Sequence, residues 1–187
     1  MPRLFTALEI PPQIAQSLAM LRGGLPGARW VEPENYHLTL RFIGDVDGAL
    51  AHDVASILGN VARAPFELRL DGLSSFGGRK PRAVVAAVGQ SPALYELQSE
   101  HERLMQRIGL APEGRKYTPH VTLARLRDTS SRQVADYLAV SEPYRSASFR
   151  ASRFVLFSSR TSVGGGPYVM EAAYALEDRA PYNSTTR

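Results

Sequence analysis

The chain has 187 residues, 44% hydrophobic and 21% charged, enough apolar mass for one core or for two small lobes sharing one, and too much for a disordered chain. It contains no cysteine, which excludes a disulfide scaffold, a zinc–thiolate centre and a thiol nucleophile and suits a reducing cytoplasm. The net charge of +4 is carried by arginine except at Lys80 and Lys116, so an anionic partner is admitted without nucleic acid being singled out.

The opening RLFTALEI alternates weakly and stops at Pro11-Pro12, which predicts a strand and leaves no room for a signal-peptide core. A helix follows, started by those prolines and ended by Gly23-Gly24. HLTLRFIG is a strand, and GALAHDVASILGNVA spaces Leu50, Val54, Ile57, Leu58 and Val61 at helical intervals. FELRLDGL and RAVVAAVG read as strands joined by SSFGGRKP, a loop by composition. The apolar run from Ala83 to Val88 is far below the roughly 20 residues that a membrane helix needs, and no membrane partner is expected. The clearest helix starts at Ser91 as N-cap and Pro92, carries Leu94, Leu97, Leu104 and Ile108 as its apolar stripe, and stops at Gly109. HVTLARL is a strand and SSRQVADYLAV a serine-capped helix. SFRASRFVLFSSR and PYVMEAAYAL then pair around TSVGGG, and a polar tail expected to be mobile occupies 177–187.

Histidine, an aliphatic residue, threonine and leucine occur in that order twice, at His37–Leu40 and at His120–Leu123, 83 residues apart (from 37 to 120). Each copy opens a strand that is followed by a helix and two strands, so the chain reads as a repeated unit within one domain over 1–187. Neither half alone would hold a good core. Two halves about an approximate two-fold would turn the duplicated motif into a pair across one cleft. The fold expected is α+β: two pseudo-symmetric lobes, each an antiparallel sheet with helices on its outer face, around that cleft.

Residues two apart in a strand share a face, so His37 joins Thr39 while Leu38 and Leu40 point to a core; His120 joins Thr122 in the same way. Parity adds Arg41 to the first pair but sets Arg125 on the wrong side of the second, unless the strand bulges. One neutral and one protonated imidazole make a base and an acid, and threonine hydroxyls can donate to the oxygens of a phosphate between them. Such a site suits in-line phosphoryl transfer without a metal or other cofactor, and the motif strands offer no third metal ligand. His52 and His101 sit in polar helices and read as surface groups.

RLFTALEIP, RWVEPENYHLTLRFIG, SSFGGRKPRAVVAAVG and RKYTPHVTLAR together resemble the 2H phosphoesterases, and within them the bacterial and archaeal RNA 2′,3′-cyclic phosphodiesterases, also called LigT-type 2′-5′ RNA ligases. The resemblance implies His37 as proton donor, His120 as proton acceptor, and Thr39, Thr122 and Arg125 as phosphate contacts. It also implies a monomeric cytoplasmic enzyme that opens a terminal 2′,3′-cyclic phosphate on RNA or a small cyclic nucleotide to a 2′-phosphate, and that can join ends through a 2′-5′ linkage in reverse. Members often carry a large aromatic where this chain has VVAAV, which leaves Phe42, Phe76 and Tyr117 as candidates for stacking on a base. The alternatives are a module that binds RNA ends or nucleotides without turnover, and a 2H enzyme for another ester such as 2′-5′ oligonucleotides. With no long Lys/Arg run, few phosphates beyond the end should be gripped, and affinity should fall gently with salt.

Overall fold

The computed structural model describes residues 2–141, 143–159 and 166–177. In chain order they form β1 (Arg3–Glu9), α1 (Pro12–Ala19), β2 (Ala28–Trp30), a 3₁₀ turn (Pro33–Asn35), β3 (His37–Asp45), α2 (Gly48–Leu58), β4 (Phe66–Leu68), β5 (Leu70–Phe76) and β6 (Ala83–Val88). Then come α3 (Pro92–Arg107), β7 (His120–Leu126), α4 (Ser131–Ser141), β8 (Phe149–Ala151), β9 (Arg153–Ser159) and β10 (Tyr168–Ala175). Residues 161–165 of the expected TSVGGG turn, and the tail from residue 178 on, lie outside the described residues. No described helix is long and apolar enough to cross a membrane.

The main sheet runs β10-β9-β1-β3-β7-β6-β5, with β2 added to β7, and every pairing in it is antiparallel. The order β9-β1-β3-β7-β6-β5 becomes itself in reverse when β1 is exchanged with β6, β3 with β7, and β5 with β9. The same exchange swaps β4 with β8, and these two pair with each other outside the main sheet. The expected two-fold is therefore present, between β3 and β7. The sequence repeats are not the lobes, however. β5 and β6 leave the first motif strand and pair beside the second, while β9 crosses back to β1 and β3. Each lobe is thus built from both halves of the chain.

Two local expectations change. FELRLDGL is not one strand: it breaks at Arg69, so that β4 can turn out of the sheet to meet β8. Its second part runs on through Ser74, Ser75 and Phe76, where composition suggests a loop, because β6 offers a partner for every one of them. Backbone pairing outweighs the weak strand preference of serine.

Helices cover one face. The Asp47 carboxylate accepts from Leu50 N at 2.8 Å to start α2, and Ser91 Oγ accepts from Leu94 N at 3.3 Å to start α3. Tyr174 of β10 donates to the Ala55 carbonyl of α2 at 2.7 Å, and Tyr137 of α4 donates to the Leu21 carbonyl beyond α1 at 2.7 Å. Leu38, Leu123, Val121, Val54, Leu94 and Leu97 form the core between sheet and helices, all fully enclosed.

His101 belongs to that core and not to the surface. It is 0% exposed, its Nδ1 shares a 2.8 Å hydrogen bond with Thr6 Oγ1, and its ring meets Phe154 edge-on. Burial lowers its pKa to about 3. An imidazole kept neutral in the fold takes up a proton near pH 6.5 once unfolded, so it lowers stability as pH falls from about 6.5 towards 3 and has no such effect above that range. We expect His101→Gln to cost roughly 1–3 kcal/mol at pH 7 through lost packing and the Thr6 bond. Urea unfolding at pH 4 to 6 should meanwhile show the dependence of stability on pH weakened by about one proton, or about 1.4 kcal/mol per pH unit. An unchanged slope would mean that the imidazole is hydrated in the native protein.

Candidate active site

β3 and β7 meet through one register pair, Leu38 with Val121. Antiparallel counting outward from it sets His37 against Thr122 and Thr39 against His120. Leu38 and Val121 are buried on the helix side, while the four motif side chains are part-exposed on the other, where they line a cleft of about 1260 Å³. The two faces are separated again at β1: Thr6 meets His101 of α3, and Phe5 meets the His37 ring at 5.0 Å.

Each imidazole is held in the same way. His37 Nδ1 lies 2.9 Å from the Asn35 carbonyl, and His120 Nδ1 lies 2.7 Å from the Thr118 carbonyl, each two residues upstream. A carbonyl only accepts, so Nδ1 carries the hydrogen in both rings and Nε2 is the atom left for proton exchange. Edge contacts with aromatic rings hold them further: Tyr168 against His37 at 5.0 Å, and Phe76 against His120 at 4.7 Å. Burial pushes the His37 pKa down to about 4, with smaller downward contributions from His120 and Arg125. His120, less deeply enclosed, is also lowered, by burial first and then by Arg125. An anion in the cleft would oppose these effects by favouring the charged imidazole.

The two candidate arginines end up opposite to simple alternation, and for one reason. The β1–β3 register passes from Ala7 opposite Thr39 to Thr6 opposite Arg41, and the β6–β7 register passes from Val85 opposite Thr122 to Val84 opposite Ala124. Each motif strand therefore gains one unmatched residue, Leu40 and Leu123, and its side chains change face there. Arg41 swings to the helix side, where it is 7% exposed, pairs with Glu102 of α3 and donates to the Ala111 carbonyl at 2.7 Å and to the Phe42 carbonyl. It borders the cleft wall, but its donors are taken up in anchoring the segment that leads to Thr118. Arg125 swings into the cleft, where it makes no hydrogen bond or ion pair with another described side chain and acts on both histidines.

Of the aromatic candidates, Phe42 is 52% exposed at the cleft edge and Phe76 lies in it beside His120. Tyr117 is not a free stacking face. Its hydroxyl donates to the Thr39 carbonyl at 2.9 Å, its ring packs on Tyr95, and burial pushes its pKa up. It ties the run before the second motif to the backbone of the first. Sequence reading missed Phe5 and Tyr168, which enclose His37, and the carbonyls of Asn35 and Thr118, whose only sequence signal is their position two residues before each histidine. Among the described residues, no three His, Cys, Asp or Glu side chains gather as a metal site.

The model of the LigT-like phosphoesterase family matches this chain twice in tandem, over residues 8–86 and 87–168, and the two matches follow the repeat seen in the fold. A protein of Aeropyrum pernix named RNA 2′,3′-cyclic phosphodiesterase is 38% identical over 106 residues, 56% of this chain and 60% of that one. The protein of that name from Aquifex aeolicus is 32% identical over 78% of this chain and 81% of its own length. Among solved structures, Escherichia coli LigT complexed with 3′-AMP superposes with a TM-score of 0.77 at 28% identity, covering 94% of this chain and 99% of that one. With the family model spanning both halves around the paired histidines, the chain belongs to the LigT-like phosphoesterase family.

Proposed function

We propose that this cleft hydrolyses the terminal 2′,3′-cyclic phosphate of RNA, or of a small cyclic nucleotide, to a 2′-phosphate by two-histidine acid–base catalysis. The mirrored pair of Nδ1-anchored imidazoles, each beside a threonine, is the observation that carries the reading. The relatives named RNA 2′,3′-cyclic phosphodiesterase and the LigT complex with 3′-AMP support the substrate class. In the forward direction His120 Nε2 takes a proton from the water that attacks phosphorus. The P–O3′ bond breaks, and His37 Nε2 gives its proton to the departing 3′-oxygen. Thr39, Thr122 and Arg125 hold the non-bridging oxygens, where charge develops. The same displacement, with the 5′-hydroxyl of another strand in place of water, joins RNA ends through a 2′-5′ linkage. Both histidines come from one chain, so a monomer suffices, and a chain without cysteine suits the cytoplasm.

A second assignment exchanges the two histidines. His37 is the more deeply enclosed and holds a proton less readily, which favours it as base and His120 as acid. An aryl phosphodiester decides between them, because a nitrophenolate departs without a proton. The variant lacking the acid keeps its activity on that ester, and the variant lacking the base does not.

Several measurements bear on the proposal. His37→Ala and His120→Ala should each lose roughly 10²–10⁴-fold in kcat/KM, and the double variant should lose less than the product, whereas His52→Ala on the exposed face of α2 should match the parent. Activity needs one neutral and one protonated ring, and both pKa values are lowered in the free cleft. The kcat/KM profile should therefore be bell-shaped, with its maximum below pH 6.5 and an acid limb near the His37 value of about 4. A maximum above pH 7 would contradict the burial of the pair. Cyclic-phosphate opening should keep its full rate in EDTA, and loss of rate restored by a divalent ion would overturn an acid–base pair acting alone.

The two arginines should separate by assay. Arg125→Ala should cost roughly 1.5–3 kcal/mol in kcat/KM with little change in melting temperature. Arg41→Met should leave Glu102 as an unpaired, mostly buried charge and destabilise the fold by roughly 3–5 kcal/mol, while KM stays near that of the parent. If Arg41→Met instead raises KM in a stable protein, the bulge at Leu40 does not govern the site.

A further inference from the structure

The second lobe carries more cation than one phosphate between the histidines can use. Across β2 and β7, Arg29 is in register with Arg125, and across β7 and β6, Arg125 is in register with Ala83, the residue after Arg82. Arg127 follows two residues further along. All four are exposed and line the same cleft. Their backbones are fixed: the Arg82 carbonyl accepts from Leu126 N at 2.8 Å, Arg82 N donates to the Phe76 carbonyl at 2.7 Å, and Arg127 N donates to the Gly27 carbonyl at 3.0 Å. Gly27 has a positive φ of 75°, and a Cβ there would run into the Arg127 carbonyl, so glycine is what lets β2 approach this closely.

The first lobe does not share this charge. At the positions equivalent under the two-fold, where the second lobe has Ala83 opposite Arg125, the first has Phe5 opposite Phe42. Its rim arginine, Arg3, is engaged by Asp45 at 2.8 Å. On the second lobe, no described carboxylate engages Arg82 or Arg125, and Arg127 meets only Asp128, at 3.8 Å with both side chains 94% exposed, a weak pair. Guanidinium groups gathered in one row repel one another unless anions lie between them. Arg127 stands seven residues beyond His120, roughly 20 Å at about 3.3 Å per residue, which is too far for both to serve the same phosphate.

We propose that Arg82 and Arg127 receive the backbone phosphates of the nucleotides preceding the cyclic end, so that the favoured substrate is a single-stranded oligoribonucleotide and not a mononucleotide. The inference rests on the phosphodiesterase reading above and extends it along the strand. Arginine forks suit successive phosphate oxygens, and such contacts carry position without base sequence.

The test compares a nucleoside 2′,3′-cyclic monophosphate with a short RNA strand ending in the same cyclic phosphate, in the parent protein and in the R82Q/R127Q double variant. The parent should favour the strand by about tenfold or more in kcat/KM. The double variant should lose most of that advantage while opening the monophosphate within about twofold of the parent, which also shows that it is folded. For the strand alone, the slope of log(kcat/KM) against log(salt) should shrink by about 1.4, at about 0.7 for each phosphate contact removed on single-stranded nucleic acid. Equal efficiency of the parent on both substrates, or an equal loss on both in the variant, would overturn the phosphate row and leave the cyclic-phosphate reaction standing. A parent protein inert on both would overturn the reaction itself and the row with it.

Discussion

Leu38 and Val121 face each other where the two lobes join, and this one antiparallel pair sets the register of everything in the cleft. A shift by one residue would turn both motifs over, sending the imidazoles into the helix-covered core and the leucines into water. Burial resists that shift, since Leu38, Val121 and Leu123 are 0% exposed and Leu40 is 2% exposed. At about 25 cal/mol per Å² of apolar surface, exposing several such side chains outweighs any gain from an alternative pairing. The geometry of a polar site is thus held from behind by an apolar one. The exchange of strands between halves adds to this, because neither lobe can form before both halves of the chain are present.

How much of this could be read from the residues depends on what each inference needed. The duplicated motif, the strands that carry it and the capped α3 rest on local patterns, and they appear where the sequence puts them. The exchange of β5–β6 and β9–β10 between lobes is invisible in a repeat, because a repeat gives the order of elements and not which copy they pair with. Alternation held as far as Thr39 and Thr122 and failed at the next residue. A bulge is a relation between two strands and leaves no mark on either one. Arg41 and Arg125 therefore traded places relative to parity, and Arg41 became a buried anchor.

His101 is a different kind of miss, because its signal was present. Leu94, Leu97, Leu104 and Ile108 leave a gap in the stripe of α3 that position 101 fills at a spacing of four from Leu97 and three from Leu104. The polar neighbours Glu100, Glu102 and Arg103 lie on other faces of the helix and say nothing about the buried one. Periodicity outranks local composition when the two disagree. Tyr117 makes the complementary point. An aromatic beside a motif invites a stacking role, yet its hydroxyl is bound to the Thr39 carbonyl, and only the tertiary structure could reveal that.

The burial that orients the histidines also sets their charge, and the two effects pull against each other. Nδ1 is fixed on a backbone carbonyl only because the ring is wedged among Phe5, Tyr168 or Phe76, and that same enclosure strips water from the imidazolium. Arg125, proposed above to hold an anion, repels a proton on either ring. Before an anion binds, both rings are thus biased towards the neutral form. A bound phosphodiester reverses this, because its negative charge offsets Arg125 and favours one protonated ring. Proton uptake and substrate binding are then linked, and each strengthens the other by the same factor. On the proposed mechanism the substrate's own charge completes the acid–base pair, so a neutral ligand of the same shape would enter the cleft without arming it.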